Sequence, residues 1–346
     1  MKRFFPGVIM NKATKTALTA LVLLALIVLV PSPALAMGHT LYGVFVAAAG
    51  ALALLLLLKL RIRAAKARHP HADGPISVIY KVHHLDLALH TIIPAFVLAR
   101  LSYCLARFSF YFLEMGPVSV LRTWEGGFML YGAVLGAMLG AGFLAKKRGA
   151  DVAATLDEIA APGLLAVAVC RLGEWFTGEG VGTWIENPML MRLPFAVVNE
   201  YEEWQLAVFL WEALAALVLL VWALRVKAVH GERVLGALLL YACCQVVLES
   251  LRMDSCLKVG FVRVSQVLSA VVILGVTMIR ARRNGTKGAM LRRAAVIAVL
   301  VALIGGIEWA LDKTVVSNIL LYLVMIAACA GLAANGMRFE KLGLTD

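Results

Sequence analysis

The chain has 346 residues, of which 62% are hydrophobic and only 16% charged, and it carries a formal net charge of +12 at pH 7. Soluble globular domains run nearer half apolar and a quarter charged, which excludes a cytosolic enzyme, and long uninterrupted apolar runs exclude a membrane β-barrel, whose strands alternate. The fold class that remains is an all-α, polytopic membrane helical bundle, in which each helix satisfies its own backbone polar groups.

Apolar runs of roughly 17 to 25 residues mark spanning helices. They fall near 16–36, 42–60, 86–112, 128–145, 155–171, 205–224, 234–250, 263–280, 289–309 and 315–335. The first follows a basic start (Lys2, Arg3, Lys12, Lys15) and ends in Ala34-Leu35-Ala36, which resembles a signal-peptidase site. Residues 1–37 are therefore expected to be a cleaved signal peptide or a retained signal-anchor helix. Of the six cysteines only Cys243 and Cys244 adjoin, and no Cys-x-x-Cys occurs, so they read as small apolar residues within helices. His83 and His84, beside Asp86 at the inner mouth, read as loop residues and not as metal ligands, and no zinc-like spacing is present. Neither a metal nor a soluble cofactor is expected.

Lysine and arginine crowd every second loop, including Lys59 to Lys81, Lys146-Lys147-Arg148 and Arg280 to Arg293, while the alternate loops are sparse and carry the acidic stretch Glu200-Tyr201-Glu202-Glu203. By the positive-inside rule the N- and C-termini are cytoplasmic. The basic charge is thus an orientation signal with affinity for anionic lipid, not a nucleic-acid footprint.

With that topology, depth can be assigned. Arg100, Arg107, Arg171, Glu212 and Glu249 fall in the outer halves or at the outer ends of their helices, and Tyr42, Tyr131 and Gln266 each open a helix on the outer side. A charge within a bilayer costs several kcal/mol and marks a site by default. The plainer reading is that such residues snorkel to the surface, although the inner level shows no comparable collection. The richest segment runs from Cys170 through Arg171-Leu172-Gly173-Glu174-Trp175-Phe176-Thr177-Gly178-Glu179-Gly180-Val181 to Gly182. Glycines allow close backbone approach to a ligand, and an arginine offers a phosphate a planar fork of donors. A glycine-rich turn whose arginine pairs with a glutamate fits the residues equally well.

Arg171 to Gly182 resembles the signature G-R-x-G-N-x-x-N-G-E-x-x-G of the prolipoprotein diacylglyceryl transferases. Further pieces resemble that family in the same order. They are Tyr42-Gly43, Arg100, Gly126-Gly127-Phe128-Met129-Leu130-Tyr131-Gly132, Leu210-Trp211-Glu212-Ala213, the stretch Tyr241 to Asp254, and Ser265-Gln266-Val267-Leu268-Ser269. The resemblance covers about 38–282, a seven-helix core, and leaves residues 283–346 as two additional transmembrane helices with a short tail. It implies an enzyme of the bacterial plasma membrane. Such an enzyme transfers the diacylglyceryl group of phosphatidylglycerol to the lipobox cysteine thiol of a prolipoprotein, at a site facing the extracytoplasmic leaflet.

Carried over residue by residue, the resemblance implies catalytic roles for Arg171, Glu179, Tyr131 and Glu174. It implies substrate-binding roles for Tyr42, Arg100, Gly182, Glu212, Gln245, Glu249, Arg252 and Gln266. Three departures stand out: Tyr131 replaces the family's histidine, Glu174 an asparagine, and Gln245 its second headgroup arginine. Losing one charge-assisted contact to the phosphate costs about 2 kcal/mol or more of binding. These departures leave two alternatives open: a related lipid transferase with a different acceptor, and a catalytically silent lipid-binding membrane paralogue. The absence of an inverted repeat, and of charges at the bilayer centre of several helices, argues against a transporter.

Overall fold

The computed structural model describes residues 37–68, 82–123, 126–199, 201–226, 231–253, 257–259, 262–284, 287–313 and 318–337. The expected run 16–36 and the expectation of a signal or anchor helix lie outside the described residues, as do Asp254 and Cys256. The other nine runs are each built as a helix. These are α1 (Met37–Arg68), α2 (His84–Ala106), α3 (Leu130–Lys147), α4 (Val152–Gly173), α5 (Val208–Arg225), α6 (Glu232–Leu251), α7 (Val264–Asn284), α8 (Lys287–Lys313) and α9 (Asn318–Met337). Among the described residues eight helices are long and apolar enough to cross a membrane. Large apolar side chains such as Leu55, Leu139, Val218, Val271 and Val299 point outward, while Arg100, Glu212, Gln245 and Arg280 are buried. Apolar outside and polar inside is the arrangement that lipid favours. The chain is a multi-pass membrane protein.

Contacts divide the chain into two compact units, Met1–Leu156 and Asp157–Asp346, with the division falling inside α4. In the first unit α2 and α3 pack closely, for a reason visible in α3. Gly132, Gly136 and Gly140 recur every fourth residue, and a Cβ on any of them would collide with a backbone carbonyl of α2, at Leu98, Pro94 and His90 respectively. Small residues on one stripe let two helix backbones touch, which drives helix association where lipid removes the hydrophobic term. The helix expected over 86–112 stops at Ala106, where Arg107 turns away (φ −109°, ψ 44°) and the chain enters a wide π-type turn, Ser109–Glu114. His83 is the N-cap of α2, its ring accepting the Leu85 N–H, and Asp86 pairs with Arg148 at 3.1 Å. The two histidines expected in a loop are thus the cap and the first residue of a helix.

In the second unit the segment between α4 and α5 forms a small antiparallel sheet in the order β1 (Val181–Trp184), β3 (Trp204–Ala207), β2 (Ala196–Val198). Val197 is paired with Gln205, and Val181 with Ala207. The helix expected from 205 therefore begins only at Val208, because residues 204–207 are taken up by backbone pairing on both sides. A two-residue hairpin, β4 (Lys258–Val259) and β5 (Val262–Arg263), joins α6 to α7. The start of α6 is held by Asp157, whose carboxylate accepts the N–H groups of Gly231 and Val234 at 2.8 Å each. Arg280, fully buried on α7, donates to Glu232 Oε2 and to the Gly336 carbonyl, each at 2.8 Å, tying α6, α7 and α9 together.

Candidate functional site

The other end of α6 carries a buried network of opposite charges. Arg171 lies in the last turn of α4, and Glu174 opens the single 3₁₀ turn that follows it, Glu174–Phe176. The i, i+3 spacing places the Glu174 carboxylate against Arg171 Nη1. On the guanidinium's other edge, Nε meets Glu212 Oε2 at 3.1 Å. Glu212 stands on α5 with no solvent exposure, and the same oxygen lies 3.5 Å from Arg252 Nη1. Neither approach to Glu212 Oε2 is aligned as a hydrogen bond, so this oxygen is held by charge and not by geometry. Its other oxygen accepts from Gln245 Nε2 at 2.9 Å, and the same amide nitrogen donates to Glu249 Oε2, also at 2.9 Å. One neutral amide therefore bridges two carboxylates where the family signature has a cation.

Within this network two buried oxygens, Glu174 Oε2 and Gln245 Oε1, find no hydrogen-bond partner among the described residues. Buried polar groups are nearly always satisfied, so a pair of orphans beside two guanidinium groups marks a place built for something other than folding.

The glycines of the signature segment serve this geometry directly. Gly180 adopts φ +73°, and a Cβ there would collide with Glu174 Oε2 and approach Phe209. Gly182 faces the Leu251 carbonyl and Val208, with the same consequence. Backbone bonds from Phe209 N–H to Gly180 O (2.8 Å) and from Met253 N–H to Val181 O (2.9 Å), with a bridge between Gly182 and Arg252, draw the turn onto the ends of α5 and α6. The close approach expected between Gly182 and a ligand is thus made by the protein's own backbone, and Gly182 positions Arg252. Glu179 stands exposed on the Thr177–Gly180 turn, its N–H donating to Thr177 Oγ1 at 3.4 Å.

Sequence reasoning missed the layer behind Glu249 and Arg252. Arg263, buried in β5, donates from Nη1 to the Glu249 carbonyl and from Nη2 to the Arg252 carbonyl. Its own N–H donates to Gln266 Oε1 at 3.1 Å, and Gln266 Nε2 donates to Glu308 Oε1 on α8 at 2.6 Å. Glu308 was detectable in principle as a lone carboxylate within the apolar run 289–309.

Three expected site residues belong to the first unit. Arg100 is 3% exposed, and each of its guanidinium nitrogens ends on a backbone carbonyl: Nε on Val120 (3.0 Å), Nη1 on Gly126 and Gly127, Nη2 on Ser119 (3.2 Å) and Arg122 (2.9 Å). The Tyr111 ring lies 5.0 Å away. An arginine so employed organises the 119–127 loop and has no donor group left over for a phosphate, which corrects its expected substrate-binding role. Tyr131 is the second residue of α3 and half-buried, and Tyr42 is half-buried on α1.

Transmembrane helices bearing a buried guanidinium–carboxylate network, with orphan acceptors within it, define an integral membrane protein with a buried polar site. The family model described as prolipoprotein diacylglyceryl transferase matches residues 34–282, and the chain belongs to that family. It is 30% identical over 204 residues to the phosphatidylglycerol–prolipoprotein diacylglyceryl transferase of Geobacillus kaustophilus (strain HTA426), covering 56% of this chain and 74% of that one. It is 31% identical over 199 residues to the protein of the same name in Listeria monocytogenes serotype 4b (strain CLIP80459), covering 55% and 70%, and 32% identical over 199 residues to that of Thermotoga maritima, covering 55% and 66%.

Proposed function

We propose that this chain transfers the diacylglyceryl group of phosphatidylglycerol to the lipobox cysteine thiol of prolipoproteins, at a site facing the extracytoplasmic leaflet of the bacterial plasma membrane, with the C-terminus in the cytoplasm. The cysteine sulfur attacks the glyceryl carbon, the carbon–oxygen bond to phosphate breaks, and glycerol phosphate leaves as the thiol proton is taken up. The observation that supports this most is Arg171 held between Glu174 and Glu212, with Arg252 converging on the same Glu212 oxygen. Two guanidinium groups held close together supply positive charge where negative charge gathers on the departing phosphate, once the phosphate displaces Glu174 from Arg171 Nη1.

In this reading Arg171 and Arg252 meet the phosphate. Glu212, Glu249 and Gln245 fix those cations from behind, and Gln266 supports them through Arg263. Tyr131, which stands at the family's histidine position, is assigned the role of hydrogen-bond donor to the thiol by the motif resemblance alone. Glu174 or Glu179 takes the thiol proton, since the thiolate is the nucleophile. Tyr42 lines the lipid's approach, Gly182 seats Arg252, and Arg100 shapes its own loop.

The test is direct. Purified protein in micelles with phosphatidylglycerol and a lipobox peptide is expected to yield the thioether product. Product no greater than that of an Arg171→Ala control would overturn the reading. A second reading, a related transferase with another acceptor, draws on Glu174 and Gln245, which both lower the positive charge facing an anionic lipid. Lipid mass spectrometry of a deletion strain separates the two. Loss of lipoprotein modification supports the first, and loss of a different lipid with lipoproteins intact supports the second.

A further inference from the structure

The matched family region ends at residue 282, yet α8 and α9 lie beyond it and are not loosely appended. They attach to the second unit at three polar points: Glu308 to Gln266 (2.6 Å), the Tyr322 hydroxyl to the Ser250 carbonyl (3.3 Å), and the Gly336 carbonyl to Arg280 (2.8 Å). Two of the three lie at the site end of α6. Glu308 is 9% exposed and belongs to a span of mean hydropathy 2.3, where a carboxylate is costly unless it is used.

The use is legible in the bonding order. A side-chain amide has one donor end and one acceptor end. Glu308, which accepts at 2.6 Å, takes the donor end of Gln266 together with the more distant Val246 carbonyl (3.3 Å), and this leaves the acceptor end turned to the Arg263 N–H (3.1 Å). Arg263 in turn grips the carbonyls of Glu249 and Arg252, the two residues that close α6 and face Glu212 and Gln245.

We infer that the C-terminal hairpin is a built-in positioning element, in which Glu308 sets the orientation of Gln266 and thereby the seat of Arg252 and Glu249. The inference rests on the transferase reading for its kinetic consequence, but its structural content is independent of it. Glu308 touches no reacting atom in this scheme. It is a positioning residue acting through a relay of two side chains.

The experiment compares full-length wild type, Glu308→Ala and Glu308→Gln in micelles. Three readouts are taken: kcat and KM for transfer from phosphatidylglycerol to a lipobox peptide, retention of phosphatidylglycerol by native mass spectrometry, and the melting temperature. Glu308→Ala is expected to lower kcat/KM about tenfold and to retain correspondingly less lipid, since misplacement of a supporting group is felt at the reacting centre. Glu308→Gln keeps an acceptor oxygen for Gln266 and is expected to recover to within about twofold of wild type. A purely structural role would lower the melting temperature without moving KM or lipid retention in the folded fraction. Wild-type kinetics and lipid retention in Glu308→Ala would overturn the inference while leaving the transferase reading intact. A wild type that makes no product would overturn that reading instead, and lipid retention would then decide the inference alone. Should Glu308→Ala fail to fold, a Glu308→Gln protein that folds but retains lipid as poorly as Arg171→Ala would overturn it.

Discussion

The two ends of α6 are both buried, both charged, and built to different rules. At the Glu232 end the acceptors are matched to donors: Asp157 takes two backbone N–H groups, and Arg280 divides its donors between Glu232 and the Gly336 carbonyl, while the atoms left over among the described residues, Arg233 Nε and Asn335 Nδ2, are donors and not acceptors. At the Arg252 end Arg171 meets two carboxylates, Gln245 alone bridges two more oxygens, and several buried acceptors are left over. A buried arginine is therefore not by itself a functional signal. Arg100 in the other unit is a strut whose partners are main-chain carbonyls, and Arg280 is a strut shared between one carboxylate and main-chain carbonyls. Arg171 is distinguished by an excess of carboxylate around it and by unsatisfied neighbours, a costly arrangement that folding alone does not require.

The comparison can be broken by making one substitution at each end. Arg280→Ala strands the Gly336 carbonyl and leaves Glu232 only its pairing with Arg283 (3.2 Å), a loss that costs up to about 3 kcal/mol. The expected result is a large fall in melting temperature, with transfer activity per folded molecule close to wild type. Arg171→Ala removes the cation aimed at the leaving phosphate, where lost charge stabilisation of this kind costs roughly 2.7–4 kcal/mol, or 10²–10³ in kcat. Steady-state turnover corrected for the folded fraction checks both. If Arg280→Ala lost activity beyond its folded fraction, or Arg171→Ala lost only stability, the distinction between strut and site would fail.

Glu174→Asn sharpens the contrast on a smaller scale. The carboxylate now paired with Arg171 Nη1 competes with any incoming phosphate, and asparagine removes that charge with a side chain one methylene shorter. The expected outcome is a KM for phosphatidylglycerol lower by about tenfold, equivalent to 1.4 kcal/mol. An unchanged KM would mean that the pair does not compete with lipid. If turnover collapses in this variant while Glu179→Gln is unaffected, Glu174 is the proton acceptor.

Much of the architecture was readable before any coordinates because apolar length determines spanning helices, and all nine described helices answer a run in the sequence. The strands at 181–184 and 204–207 were not readable, since three- and four-residue apolar stretches next to a helix carry no period of their own. Hydropathy likewise said nothing of how α2 and α3 pack. Yet the stripe Gly132, Gly136, Gly140 was present in the sequence and needed only the knowledge that lipid-embedded helices associate through small residues. At the site, motif order picked out Arg171, Glu174, Glu212, Gln245, Glu249 and Arg252, which the fold brings into one network. It could not separate Arg100, because an arginine satisfied by carbonyls and one satisfied by carboxylates look alike in sequence. Glu308 escaped because it lies beyond the matched region, and Arg263 because its partners are main-chain carbonyls, which no motif records.

The smallest expected effect lies at Gln245, where the two ends of α6 differ most in chemistry. Its amide nitrogen is shared between Glu212 and Glu249, so two carboxylates compete for one weak donor group. An arginine there would give each carboxylate its own N–H and return the positive charge that the family signature carries. The longer side chain must be fitted into a buried position, 2% exposed, and overpacking of that kind opposes the gain. The expected balance for Gln245→Arg is a folded protein with a KM for phosphatidylglycerol lowered two- to threefold, about 0.5 kcal/mol. Combined with Glu174→Asn the gain should exceed the sum, since Arg171 and residue 245 share Glu212 and neighbours in one charge network are not additive. Strict additivity in that double-mutant cycle would show that Glu212 does not couple them, and the network would then be two separate pairs.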